Sequence, residues 1–376
     1  MTRQEQAPPA AVSTRWVSIG AALDPRSNSI NALRLGLAVL VIVSHSFPLG
    51  GYGDAPGAGG SGGSGPGHSD LGDWAVGGFF VTSGYLITAS RLRSRSLGDY
   101  LWRRFLRIYP AFLVSLLVVG FAIAPLASLL LGAGPWSAAG GARFVLGNLA
   151  LFIREYGIDG MLGSVPYPGA WNGSLWSLFF EFVSYLVIGL LISVVPRRWV
   201  APLVVVGFAG LTLVAGVLAT DLVPFPAALN QTVTLVAYFL AGAIVHLFRD
   251  RIPLTLPLAL LALALFALVV ASGLYRVLAG LPLAYLMLAL GARLPLRRLG
   301  ATHDVSYGMY IYAFPVQQLL ALALIDADVP LVAYVLLSIA ATLPFAWASW
   351  LLIERPAMRL KRLTARAPVD DEGHVG

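Results

Sequence analysis

The sequence predicts an all-α polytopic membrane protein of about ten transmembrane helices with both termini in the cytoplasm. Of its 376 residues, 58% are hydrophobic and 11% charged, against roughly 45–50% and 25% in a soluble domain. Mean hydropathy is +0.79. The apolar residues fall in runs long enough to cross a ~30 Å hydrocarbon core, and the basic residues gather in alternate connections between those runs.

In chain order the runs occupy 31–48, 73–91, 109–131, 174–195, 199–219, 229–248, 253–272, 275–291, 303–325 and 331–353. The stretch 133–173 is apolar at Ala142–Phe152 but too short there to span, and reads as an external loop with a short interfacial or re-entrant helix. With the N-terminus inside, all but three of the 25 basic residues lie on the inner side, the exceptions being Arg143, Arg154 and Arg276. The connections are short enough for the positive-inside rule to set this orientation. Residues 1–29 are polar with no continuous apolar core, so no cleavable signal peptide is expected, and the first span serves as an uncleaved targeting element. Residues 1–29 and 363–376 read as disordered cytoplasmic tails around a transmembrane domain at 30–362, placed in the inner membrane of a bacterium. The Gly/Ser-rich loop Gly50–Gly67 is either a flexible lid over an external opening or a low-complexity insertion. There is no cysteine, so disulfides and thiolate chemistry are excluded. His68, His246, His303 and His374 have no ligand-like spacing, and no metal is expected.

Ionisable residues inside apolar helices cost about 2.5–3.5 kcal/mol each at a helix centre and usually line a protein interior. His45 is such a residue, and Arg34 is the one charged side chain that shares its span. Eleven steps of ~100° bring the two to within ~20° of one face, roughly 16 Å apart along the axis. An imidazole suits proton transfer near neutral pH. Glu181 is the second isolated intramembrane charge, at a depth that lets it orient an imidazole, or else it is a structural carboxylate bonded to a neighbouring helix. Arg103, Arg104 and Arg107 share a helix face beside Tyr109. Arginine forks there suit bidentate phosphate contacts, or the cluster anchors lipid headgroups and sets topology. Ser83 and Gly84 suit close helix packing. Tyr307, Tyr310 and Tyr312 either line a cavity or form an interfacial belt.

Together these residues resemble acyltransferase family 3 membrane enzymes. The resemblance rests on Arg34 with ten residues before His45, Phe79-Phe80-Val81-Thr82-Ser83-Gly84-Tyr85, Arg104-Phe105-Leu106-Arg107-Ile108-Tyr109-Pro110, Asn172-Gly173-Ser174-Leu175-Trp176-Ser177 with Glu181, Ser306-Tyr307-Gly308 and Glu354-Arg355-Pro356. It spans roughly residues 28–362 and is nearest to the exopolysaccharide O-acetyltransferase branch. The family implies transfer of an acyl group, usually acetyl from cytoplasmic acetyl-CoA, to a hydroxyl of an extracytoplasmic or lipid-linked carbohydrate. On that reading His45 and Glu181 are catalytic, with His45 a base or a transient acyl acceptor. Arg34, Arg103, Arg104, Arg107 and Tyr109 hold the acyl-CoA, and Trp176, Ser177, Tyr85 and Asp73 contact the acceptor. Many relatives have Asp where this chain has Gly77, and Asp73, one turn earlier, is the expected substitute. The expected partners are acyl-CoA, a carbohydrate or glycolipid acceptor and the lipid bilayer, with no nucleic acid. The competing reading is a transporter or flippase of a polysaccharide or glycolipid, against which stands the lack of internal repeats.

Overall fold

The computed structural model describes residues 16–24, 27–56, 69–220 and 227–361. The first fifteen residues, the Gly-rich segment 57–68, read as part of a lid or a low-complexity insertion, and the expected C-terminal tail 363–376 lie outside the described residues.

Among the described residues the secondary structure is helical apart from one isolated bridge between Ser18 and Pro253. In chain order the helices are α1 (Ile30–Leu49), α2 (Leu71–Arg93), α3 (Leu97–Leu131), α4 (Ala138–Asn148), α5 (Ser177–Val194), α6 (Arg197–Leu218), α7 (Ala227–Leu247), α8 (Leu256–Ala271), α9 (Gly280–Arg293), α10 (Ser306–Ala323) and α11 (Leu331–Arg359). Every apolar run has its helix, and α4 is the short helix expected between the third and fourth. Six helices, α1, α3, α5, α6, α7 and α11, are long and apolar enough to cross a membrane by length and composition. The apolar helices α8 and α9 have only 16 and 14 residues.

Local chemistry sets several helix starts. Asp70 caps α2 by accepting from the Asp73 amide at 2.8 Å, and the Asp73 carboxylate accepts from the Asp70 amide at 3.4 Å, a reciprocal box that satisfies two of the unpaired amides at the helix start. Ser96 caps α3 on one side, accepting from the Asp99 amide at 3.1 Å.

The bundle is held by close backbone approach and by buried polar contacts between helices. Helices α2 and α7 form its most extensive pairing. A methyl group on Gly84 would collide with the Phe239 carbonyl, and one on Gly242 with the Val81 carbonyl, so two glycines facing opposite ways let these backbones touch. Helix α10 is buried over most of its length. Gln317 donates to the Ile42 carbonyl and to Ser46 Oγ, both at 2.9 Å, and Gln318 donates to the Tyr167 and Ala170 carbonyls at 2.8 and 2.7 Å. The three tyrosines of α10 are also packed inside. Tyr307 donates to the Ile108 carbonyl at 2.9 Å, Tyr310 to the Ser174 carbonyl at 2.7 Å, and Tyr312 stacks on Phe345. They neither belt the bundle nor line its cavity, because a buried phenol on a central helix is satisfied by the neighbouring backbone.

Two π turns interrupt long helices, and such turns are frequent at functional sites. One, Val119–Ile123 in α3, frees the Gly120 carbonyl to accept from Trp136 Nε1 at 2.9 Å. The other, Trp350–Glu354 in α11, ends on the buried Glu354.

Residues 16–24, read from sequence as part of a tail, are packed against the connection between α7 and α8. The Ile19 amide donates to the Ile252 carbonyl at 2.9 Å, the Gly20 amide to the Arg249 carbonyl at 3.0 Å, and the Ile19 side chain is fully buried. The segment 149–176 is irregular and folds back over the bundle. Asn148 braces it by donating to the Glu155 carbonyl at 2.7 Å and accepting from the amides of Arg154 and Glu155.

Candidate functional site

A cavity of about 720 Å³ lies where α1 ends and α2 begins, roofed by the 149–176 segment. That volume falls within the ~300–1,000 Å³ of small-molecule sites. His45 is on its wall, as are Asp73 and Trp176. The cavity therefore unites three of the expected site residues, drawn from three separate stretches of chain. The His45 ring meets the edge of Phe314 from α10 at 5.4 Å between centroids, and its Nδ1 is buried with no hydrogen-bond partner among the described residues.

Other cavity residues escaped the sequence. Asp70, Asp54 and Arg276 bring charge, while Tyr156, Tyr167 and Phe180 bring rings. Asp70 is the carboxylate close enough to act electrostatically on His45. Its legible signal was the Asp-x-x-Asp spacing of a helix start, which reads as a cap and not as a partner for a histidine on another helix. Arg276 Nη2 lies 3.4 Å from Asp73 Oδ2, and the Tyr275 hydroxyl donates to the Asp73 carbonyl at 2.9 Å. Tyr238 in turn donates to the Tyr275 carbonyl. These tyrosines explain Gly77: any side chain there would run into the Tyr275 hydroxyl and the Tyr238 ring.

Glu181 is placed differently from expectation. Its Oε1 accepts from Ser83 at 2.9 Å and from Tyr185 at 2.5 Å. No hydrogen bond joins it to His45, and it is not among the residues lining the cavity. It clamps α5 to α2, because a carboxylate buried between helices takes the nearest hydroxyl donors. Ser177 is likewise engaged elsewhere, 2.8 Å from the Tyr310 hydroxyl. Tyr85 packs edge-on against His246 at 4.9 Å, away from the cavity.

The opposite end of α1 carries the arginines. Arg107 Nη2 donates to Asp304 Oδ2 at 2.5 Å, Arg107 Nη1 lies 3.4 Å from Glu354 Oε2, and Arg34 Nη1 lies 3.6 Å from the same oxygen of Asp304. Two guanidinium groups are thus matched by two carboxylates from elements that sequence distance hides. Asp304 precedes α10 and Glu354 ends the π turn of α11. Arg103 pairs with Asp99 at 3.0 Å while its side chain stays 39% exposed. Arg104 is near enough to Tyr100 and Tyr185 to interact with them electrostatically, and its Nε is buried without a hydrogen-bond partner among the described residues. Tyr109 stacks on Phe105 at 4.9 Å, and Phe105 on Trp102 at 5.7 Å. Among the described residues, no group of three or more metal-ligating side chains is gathered.

Comparison with known proteins adds the family. The chain is 26% identical over 339 residues to a protein named O-acetyl transferase from Shigella phage Sf6, an alignment covering 88% of this chain and 96% of that protein. No solved structure matches it. A family model described as an acyltransferase domain matches residues 27–351, a span that takes in every described element lining the cavity. The chain therefore belongs to the membrane acyltransferase family read from its motifs, and is an acyltransferase enzyme.

Proposed function

We propose that the protein is a membrane-bound O-acetyltransferase that moves acetyl from acetyl-CoA to a hydroxyl of an extracytoplasmic or lipid-linked carbohydrate. The observation that carries this reading is His45 on the wall of a cavity that also presents Asp70 and the Trp176 ring. In the direct route, the imidazole takes the proton of the acceptor hydroxyl while its oxygen attacks the thioester carbonyl. The tetrahedral species then collapses, the carbon–sulfur bond breaks, and the imidazolium returns the proton to the leaving thiolate. In the other route, His45 carries the acetyl group transiently. General-base help of this kind contributes typically 10²–10⁴-fold. Asp70 is the proposed orienting and charge-balancing partner of His45. Trp176 would stack on the sugar ring, and Glu181 would hold α5, with its Trp176 and Phe180, in place.

For the donor, Arg104 and Arg103 are the proposed phosphate contacts. The buried Nε of Arg104, without a hydrogen-bond partner among the described residues, and the 39% exposed side chain of Arg103 support this. Arg34 and Arg107, already tied to Asp304, would shape the same end from behind, and the Trp102, Phe105 and Tyr109 rings offer a stacking face. Eleven residues of α1 separate Arg34 from His45, about 16 Å of helix rise, a length that a pantetheine arm can bridge. We further propose ten spans, with the arginine end and both termini in the cytoplasm and the His45 cavity towards the outer face of the inner membrane; the distribution of basic residues supports this orientation.

The test is the acetyl-ester content of envelope glycans in a deletion strain complemented with wild type or His45→Ala. Loss on deletion and return only with wild type supports the reading. Full rescue by His45→Ala removes His45 from catalysis, and esters unchanged by deletion remove glycan acetylation.

A further inference from the structure

Acetyl transfer at His45 leaves two rings of the cavity without a task. Tyr156 and Tyr167 stand on the 149–176 segment and line the cavity, and they are 40% and 45% exposed. The backbone beneath them is held in place. The Tyr156 carbonyl accepts from the Trp171 amide at 2.7 Å, and the Tyr167 carbonyl accepts from the Gln318 side chain at 2.8 Å. Trp171 is fully buried. A methyl group on Gly157 would collide with the Gly169 carbonyl, so the two arms of the segment touch. That contact brings Tyr156 and Tyr167 near enough to interact electrostatically. Open rings on a braced backbone bind with little ordering cost.

The pair is joined to the imidazole through one intermediate ring. Tyr167 meets the edge of Phe314 at 5.9 Å between centroids, and Phe314 meets His45 at 5.4 Å. Phe314 is buried, so packing fixes this spacing. On another element, Trp176 and Phe180 pack edge to face at 5.8 Å and line the same cavity. The cavity thus offers aromatic faces at two places, with Asp70 and Gln231 among its polar lining. A pyranose has the matching pair of characters. Its electropositive C–H face suits the negative face of an aromatic ring, and its hydroxyl edge suits polar side chains. Rings that only marked the membrane interface would face lipid headgroups and have no reason to line a cavity reached from His45.

We propose that Tyr156 and Tyr167 form a second sugar subsite, beyond the one at Trp176, so that the acceptor is recognised over at least two linked sugar rings and a free monosaccharide is a poor acceptor. The inference rests on the acetyltransferase reading for the identity of the cavity as the acceptor site, but it is read by binding, without turnover.

The experiment is equilibrium binding to the full-length protein in detergent micelles, by microscale thermophoresis. The probes are size fractions of the parent strain's envelope polysaccharide, O-deacetylated and cut by mild acid to monosaccharide, disaccharide and tetrasaccharide. The two longer fractions are expected to bind at least about tenfold more tightly than the monosaccharide. Tyr156→Leu and Tyr167→Leu keep apolar bulk but lose the ring face, and each should reduce that gain roughly three- to tenfold. Tyr156→Phe and Tyr167→Phe should keep it. Monosaccharide and acetyl-CoA binding should stay at the wild-type level in all four variants, as should the melting temperature, because both side chains are exposed. The proposal is overturned if all fractions bind alike, if none binds, or if the leucine variants keep the full gain. It is also overturned if monosaccharide and acetyl-CoA binding fall together with the gain, since the rings then support the fold and not a second sugar. Acetyl transfer is followed in the same samples. Length-dependent binding through the tyrosines without transfer overturns the acetyltransferase reading and leaves the subsite standing, and transfer without length dependence does the reverse.

Discussion

Arg107 and Asp304, nearly two hundred residues apart in sequence, are joined at 2.5 Å, and the same aspartate oxygen reaches Arg34 at 3.6 Å. One carboxylate thereby fixes α3 and α1 to the start of α10. Breaking a buried pair by removing one partner costs about 3–5 kcal/mol, because the charges left behind stay buried. Asp304→Asn is therefore expected to lower the melting temperature in detergent markedly.

Gly84 and Gly242 predict a steric outcome. Each faces a carbonyl of the opposing helix with no space for a methyl group. Gly84→Val or Gly242→Val should force α2 and α7 apart at a cost of at least about 1–3 kcal/mol, read as a loss of monodisperse protein on size-exclusion chromatography.

For Glu181 the structure predicts a split between chemistry and stability. Replacing it by Leu orphans the Ser83 and Tyr185 hydroxyls, at about 1–3 kcal/mol per buried donor. Glu181→Gln keeps an acceptor oxygen. Thermal melting should drop strongly in Glu181→Leu and little in Glu181→Gln, and the glutamine variant should keep acetyl transfer within tenfold of wild type. A much larger loss in that stably folded variant would return Glu181 to the catalytic set.

Asp70 does two things that one pair of substitutions can separate. Asn also caps helices, so Asp70→Asn should keep the melting temperature, whereas Asp70→Ala loses about 1 kcal/mol with the cap. If the charge of Asp70 serves His45, both variants should lower kcat for acetyl transfer at least tenfold and alter its pH profile. If only the cap matters, Asp70→Asn should be indistinguishable from wild type.

Much of this molecule was legible without coordinates. The apolar runs, each with its helix, and the common face of Arg34 and His45 follow from interactions within a few residues, where helical periodicity decides, and Gly84 marks a close approach by its missing side chain. The motifs that carried the family resemblance are likewise contiguous or at fixed helical spacing. What sequence could not decide was partnership across the bundle. Glu181 sits at a plausible depth for His45, but side-chain direction is set by which helix packs alongside, and that helix presents Ser83. Arg34 and Arg107 read as open phosphate sites until α10 and α11 bring Asp304 and Glu354 to them. Asp70 was hidden as a cap, and the cavity roof at 149–176 has no period to read. Tertiary packing decided these points because buried charges settle on whichever partners the assembled helices bring within reach.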